Sequence, residues 1–311
     1  MREIDLNKYK IRTDLITDIT SSKKHKNIKE IIRYKGDIKI SNITLKKDEP
    51  LINRKKGLYT TISFNDITDS DNYSKVIEVL TSELNKFLSK MNVKKEDSIL
   101  IVGLGNIKST PDMLGPKVLE HIIVTSHIKK LTGSLDKAYR EVSILAPGVM
   151  GITGIETKDI VLGVINEIKP NLLIFIDALA SEKLDRLNKT IQITNAGINP
   201  GSGVGNIRKE LSYDTLGIPI IVIGVPTVVD AVTIVRDTIN YMLKNSLKEE
   251  KEEILGLVGS LSESELKELL FEVLSSTGYN LMVTPKEIDF IMEKLVNIIA
   301  TSINKSIHNL K

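Results

Sequence analysis

Three observations predict an α/β chain built on a doubly wound, mostly parallel sheet with helices on both faces. Residues 98–104, 172–176 and 219–225 are short runs rich in Ile, Leu and Val, the pattern of strands buried on both sides. Segments with apolar residues at helical spacing alternate with these runs. Gly, Pro and polar clusters separate one kind of segment from the other. With 311 residues, the chain can bury a substantial core, as one large domain or two small ones.

The first helix spans about 72–91, where Val76, Val79, Leu80, Leu84, Phe87 and Leu88 recur on one face. After the strand at 98–104, a helix opens near Pro111 with Thr110 as its N-cap, since Pro suits a first helical turn. A strand near 141–145 leads to the Pro-Gly-Val-Met-Gly loop at 147–151. A helix over about 157–168 stops at Pro170, and the strand ending at Ile176 delivers Asp177 just past its end. Residues 190–194 read as a strand, 199–206 as a Gly-rich loop, 219–225 as a buried strand and 227–243 as a helix. A charged linker at 244–253 precedes two helical segments, about 262–275 and 285–304. Residues 1–70 fall outside the alternation and read as a small, basic, β-rich appendage with a detachable leader.

A 41% hydrophobic share with 27% charged residues is ordinary for a soluble globular protein. Aromatics make up 4% and Trp is absent, so Ile, Leu and Val must supply the core. The absence of Cys excludes disulfides, thiolate zinc sites and cysteine nucleophiles together. Residues 1–10 carry no apolar run of the secretory kind, and no stretch approaches the roughly 18–20 apolar residues of a membrane span. No membrane partner is expected. Residues 1–60 hold sixteen Lys and Arg against eight Asp and Glu, so this flank is +8 within a chain of net charge +3. Such a flank can steer an acidic partner or be a solvated lysine-rich surface. The overall charge is too small to argue for direct nucleic acid binding.

Among chemistry-bearing residues, two aspartates stand out. Asp112 lies in Ser-Thr-Pro-Asp-Met-Leu-Gly-Pro (109–116), and Asp177 in Ile-Asp-Ala-Leu-Ala (176–180), each following a strand that reads as buried. Functional crevices of parallel sheets lie beyond the carboxyl ends of the strands. Two carboxyls meeting there share a proton, one activating water and the other polarising a carbonyl. Each also has a plainer role: Asp112 as an acid at a helix N-terminus, Asp177 as a loop acid bonded to backbone amides. Asn106 and Thr110, close to Asp112 in the sequence, could support such a site, as could Asp230, which lies beyond a third buried strand in a position that also suits an acid of a helix's first turn. Other motifs are weaker. Gly103-x-Gly105 lacks the third glycine of a dinucleotide fingerprint, and Ser202 lies in Pro-Gly-Ser-Gly rather than G-x-S-x-G. The histidines His25, His121, His127 and His308 form no H-E-x-x-H pair and read mostly as surface residues.

Several segments together resemble the germination proteases of spore-forming bacteria. They are Val-Gly-Leu-Gly-Asn with Thr-Pro-Asp-x-Leu-Gly-Pro (102–116), Ala-Pro-Gly-Val-Met-Gly-x-Thr-Gly-x-Glu-Thr (146–157), Ile-Asp-Ala-Leu-Ala (176–180), Asn-Pro-Gly-Ser-Gly-Val-Gly-Asn (199–206), Gly-Val-Pro-Thr-Val-Val-Asp-Ala-Val-Thr (224–233) and Leu-Met-Val-Thr-Pro-Lys-Glu-Ile-Asp (281–289). Met113 departs from the smaller residue of the motif. The resemblance implies an atypical aspartic endopeptidase that degrades small acid-soluble spore proteins during germination. It places the chain in the forespore or spore core, with a core similar to that of hydrogenase maturation proteases. It implies catalysis by Asp112 and Asp177 without metal or organic cofactor, in a homotetramer made as a self-processing zymogen. Ile-Arg-Thr-Asp-Leu (11–15) resembles the family's processing site, which puts the cut between Asp14 and Leu15. The expected organisation is therefore a propeptide at 1–14, the basic β-rich appendage at 15–70 and an α/β protease core at 71–311. Two other readings remain: a metal-dependent protease of the maturation-protease type, and a non-catalytic protein that binds acidic peptides.

Overall fold

Side-chain alternation within the central strands shows how the sheet is buried. In β4 (Ile99–Gly103), Ile99 and Ile101 face one core while Leu100 and Val102 face another. β6 (Leu172–Ser181) repeats this with Leu172, Ile174 and Ile176 against Leu173 and Phe175. β8 (Ile220–Asp230) does so with Ile221, Ile223 and Val225 against Ile220 and Val222. Both faces are dry, which is why these strands read as continuous apolar runs. The computed structural model describes residues 13–20, 28–49, 54–202, 208–245, 262, 265–266, 269–270 and 281–309.

Among the described residues, nine strands form one sheet. The remaining ones are β1 (Ile28–Lys35), β2 (Ile38–Leu45), β3 (Gly57–Ser63), β5 (Val142–Leu145), β7 (Thr190–Thr194) and β9 (Met282–Val283). Their spatial order is β1-β2-β3-β7-β8-β6-β4-β5, with β9 paired to β8. Helices α2 (Ser70–Lys90), α3 (Leu114–Leu119) and α9 (Ile288–Ile307) pack on one face, burying Leu80, Leu84, Leu114, Val118, Leu295 and Ile299. On the other face, α6 (Thr157–Ile168) contributes Val161 and Ile165, and α7 (Tyr213–Leu216) contributes Leu216. The short helices are α1 (Ile16–Thr20), α4 (Ser126–Thr132) and α5 (Met150–Thr153), and α8 (Ala231–Asn245) follows β8.

The fold is α/β with helices on both faces, but the sheet is mixed rather than mostly parallel. Only β8, β6, β4 and β5 run parallel to one another; β7 joins β8, and β3 joins β7, antiparallel. The eight residues between β6 and β7 are fewer than the dozen or so that a parallel crossover needs. The N-terminal strands extend this same sheet: β1 turns into β2 through Gly36, at φ +57°, and β3 docks on β7. Part of the basic flank is neutralised across the join, with Arg33 to Glu83 at 3.2 Å and Lys55 to Glu210 at 2.6 Å. Among the described residues, no helix is long and apolar enough to cross a membrane.

Three boundaries differ from the sequence reading. β6 continues to Ser181 and β8 to Asp230, because their far halves pair with one another and β9 adds to β8. Asp177 therefore lies within a strand, opposite Gly224, though just beyond the point where β4 ends. Pro111 opens a 3-10 turn, Thr110–Asp112, capped by Ser109 rather than Thr110, and the helix proper begins at Leu114. His308 is buried, accepting the Arg140 backbone N–H at 3.1 Å, whereas His121 and His127 are exposed. Residues 1–12, 203–207 of the Gly-rich loop, most of the 244–253 linker, most of the 262–275 helix and His25 lie outside the described residues.

α3 lies so close to the sheet that its glycine touches backbone. A Cβ on Gly115 would lie 2.6 Å from the Ile176 carbonyl oxygen and closer still to that of Leu104. Gly115→Ala should lower unfolding free energy by about 1–3 kcal/mol, as overpacking of a filled interface does. A urea midpoint that falls at unchanged m-value is the expected readout.

Candidate active site

Beyond the end of β4 the chain turns sharply to present Asp112. Gly105 adopts φ +112°, a conformation that favours glycine, and a Cβ there would collide with the Asp112 backbone carbonyl. The Asn106 backbone N–H donates to the Asp112 carboxylate at 2.9 Å and also lies 3.1 Å from its carbonyl oxygen. The Thr227 hydroxyl donates to the Pro111 carbonyl at 2.6 Å, tying the turn to β8. Asp112 is half-buried.

Asp177 is 4% exposed. Its carboxylate accepts the Ala178 N–H at 3.0 Å. The two acids line one cavity of about 420 Å³. Its wall also includes Gly148 and Met150, Pro200 and Gly201, Thr227 and Met282, so the quoted sequence segments converge on it. Asn106 lines it as well, its side-chain oxygen accepting the Lys108 N–H at 3.0 Å. Thr110 and Asp230 do not line it. Asp230 instead accepts the Val232 N–H at 2.8 Å, at the start of α8.

Electrostatics separate the two carboxyls. Burial pushes Asp177 well above the ordinary carboxylate range, the negative charge of Asp112 adds to this, and Asp14 adds less. Burial raises Asp112 to about 6, opposed by the Asn106 N–H. Both carboxyls therefore hold their protons to higher pH than an exposed acid does. Among the described residues, no group of three or more His, Asp or Glu side chains stands together to hold a metal.

The segment around residue 14 enters the same cavity. Asp14 lines it, and the Asp14 N–H donates to the Ala180 carbonyl at 3.1 Å, three residues along β6 from Asp177. Leu15 and Ile16 are fully buried, Ile16 against Ile43, Leu45 and Tyr59. Asp18 is also buried, paired with Arg186 at 2.7 Å. Sequence reasoning missed Gln192 and Arg54, which contact this segment. A lone amide within Thr-Ile-Gln-Ile-Thr, where every residue is buried, was the available signal for Gln192.

The germination protease family model matches residues 10–254 and 245–310. Germination proteases of Bacillus velezensis and Bacillus subtilis are each 44% identical, covering 98% of this chain and 95% of the relative. That of Priestia megaterium is 40% identical, covering 99% of this chain and 96% of the relative.

An acid whose folded pKa is raised binds its proton more tightly folded than unfolded. Stability is then present at low pH and declines as pH rises from the ordinary range, near 4, through the folded value, about 6 for Asp112. Asp112→Asn should therefore stabilise the protein by about 1–2 kcal/mol at pH 7.5 and by nearly nothing at pH 4. Thermal melts at the two pH values check this.

Proposed function

The chain belongs to the germination protease family and is a peptide-bond hydrolase acting on protein substrates; from that premise we propose an endopeptidase of aspartic type that uses Asp112 and Asp177 to activate water. The observation that carries this reading is one cavity in which burial raises both carboxyls and the charge of Asp112 raises Asp177 further. Asp112, the more readily ionised, takes a proton from water as the oxygen adds to the peptide carbonyl carbon. Asp177, protonated, donates a hydrogen bond and then its proton to the carbonyl oxygen. As the tetrahedral species collapses, Asp112 passes its proton to the departing nitrogen and the hydroxyl proton returns to Asp177. Every proton is accounted for within the pair, with no metal or organic cofactor in the sequence of steps.

The substrates in this reading are small acid-soluble spore proteins, degraded in the spore core during germination by a homotetramer. The enzyme is made as a zymogen that cuts itself between Asp14 and Leu15. Support for self-processing comes from Asp14 lining the cavity of Asp112 and Asp177. The α/β core is of the kind attributed to hydrogenase maturation proteases.

Asp112→Asn and Asp177→Asn should each lower cleavage by a factor of at least about 10³, leaving the fold intact. Mass spectrometry of the full chain after mildly acidic incubation would show loss of fourteen residues in wild type and in neither variant. Unchanged cleavage by both would refute the role. Because the base must be ionised, wild-type kcat/KM should rise as pH passes about 6 and fall again where Asp177 loses its proton. A peptide assay across pH 4.5–9 reads both limbs.

A further inference from the structure

Asp14 lies at the junction of two cavities. One is the cavity of Asp112 and Asp177; the other, of about 300 Å³, is lined by Asp14 together with Arg54, Gln192, Ser202 and Lys55. Each oxygen of the Asp14 carboxylate has its own donor there. The Ala180 N–H donates to Oδ2 at 2.9 Å, and the Ser202 hydroxyl donates to Oδ1 at 2.7 Å. Burial holds the Asp14 carboxyl above the ordinary carboxylate range, opposed by these two bonds and then by the Arg54 guanidinium, which also donates to the Thr13 carbonyl oxygen.

Backbone contacts hold the segment regardless of side chains. The Gln192 amide grips both sides of residue 15: its Nε2 donates to the Asp14 carbonyl at 3.1 Å, and its Oε1 accepts the Ile16 N–H at 2.9 Å. The Asp14 N–H donates to the Ala180 carbonyl at 3.1 Å, which ties the segment's backbone to β6. This division suits a protease: backbone bonds set the register and one side chain is read. The Ala180 amide lies three residues beyond Asp177 on the same strand, so carboxylate recognition and the proposed chemistry share a rigid element.

We propose that Ser202, the Ala180 amide and Arg54 form the subsite that selects an acidic side chain immediately before the cleaved bond, with Gln192 aligning the backbone, and that Asp14 occupies this subsite in cis. The inference rests on the proteolytic reading above and deepens it by naming the residues that read the substrate. An amide in place of the acid keeps its size but forfeits the attraction of Arg54. A hydrogen bond to a charged group counts for a factor of about ten or more, so the effect is measurable.

Leader removal would be timed by mass spectrometry for the full chain and for Asp14→Asn, Arg54→Gln, Ser202→Ala and the two double variants pairing Asp14→Asn with each. Peptides spanning residues 11–18, with Asp or Asn at position 14, would be added to the same samples. Each single variant should slow leader removal about tenfold or more, and each double should be no slower than its slower parent. Wild type should cleave the Asp peptide at least about tenfold faster than the Asn peptide, and Arg54→Gln should bring that ratio close to one. Multiplying effects in the doubles, or a peptide preference untouched by both Arg54→Gln and Ser202→Ala, would overturn the subsite while leaving the protease reading intact. Failure of wild type both to remove its leader and to cleave any peptide would overturn both. Melting temperatures identify a variant that fails to fold. Ser202→Ala, which removes one half-buried hydroxyl, then carries the test on its own.

Discussion

Asp177 sits in the middle of a ten-residue strand, next to fully buried Ile176 and paired with β8, and no cation figures among the groups that set its proton affinity. Burying an ionised carboxylate there is costly, so the group holds its proton to higher pH than an exposed acid. That constraint organises its surroundings. Up to Ile176, β6 is a core strand pressed between β4 and β8. At Asp177 its β4 neighbour has ended, and from there to Ser181 the strand has an edge open to another chain. The segment around Asp14 takes that edge, with a backbone bond to Ala180 and with Asp18 reaching Ser181 and the Glu182 N–H. One strand is thus core, acid carrier and docking edge in succession.

Holding Asp112 opposite this strand falls to glycines and short backbone bonds. Gly103 and Gly115 let α3 approach β4 until backbone meets backbone, and Gly105 lets the chain fold back over the Asp112 carbonyl. The Asn106 N–H fixes one carboxylate oxygen, and Thr227 anchors the turn from the side of β8. A loop acid fixed in this way has little freedom to retreat into solvent. Its proximity to Asp177 is therefore a property of the fold, which is what preorganised acid–base chemistry needs.

The central strands and both aspartates were legible because their signals are local. Continuous apolar runs mark doubly buried strands, and an acid at the end of such a run is conspicuous. The far halves of β6 and β8 were not legible, since Asp177 and Pro226 interrupt the apolar pattern and only pairing with one another extends the strands. The same holds for β1–β3: short strands could be read there, but the pairing of Tyr59 with Thr194 that joins them to the main sheet is a long-range fact. Arg54, Gln192 and Ser202 come from a β2–β3 connection, a strand and a Gly-rich loop. Nothing in their separate neighbourhoods says that they meet at residue 14. Ser202 was visible only as a poor nucleophile motif, because a hydroxyl's hydrogen-bond partner cannot be read from adjacent residues.

If the bond after Asp14 is the one cut, the two sides of the cut are anchored very differently. Leu15, Ile16 and Asp18 are buried, Ile16 among Ile43, Leu45, Tyr59 and Ala196, and Asp18 against Arg186. Burying two such aliphatic side chains stabilises their position by about 3–6 kcal/mol, independently of the leader. Asp14 and Thr13, by contrast, are half-buried and held by hydrogen bonds to Ala180, Ser202, Gln192 and Arg54. Such bonds exchange readily with water, each contributing about 1 kcal/mol net. Severing the chain at this point would leave Leu15, Ile16 and Asp18 seated in the core, while Thr13 and Asp14 lie on the side held by exchangeable hydrogen bonds beside Asp112 and Asp177.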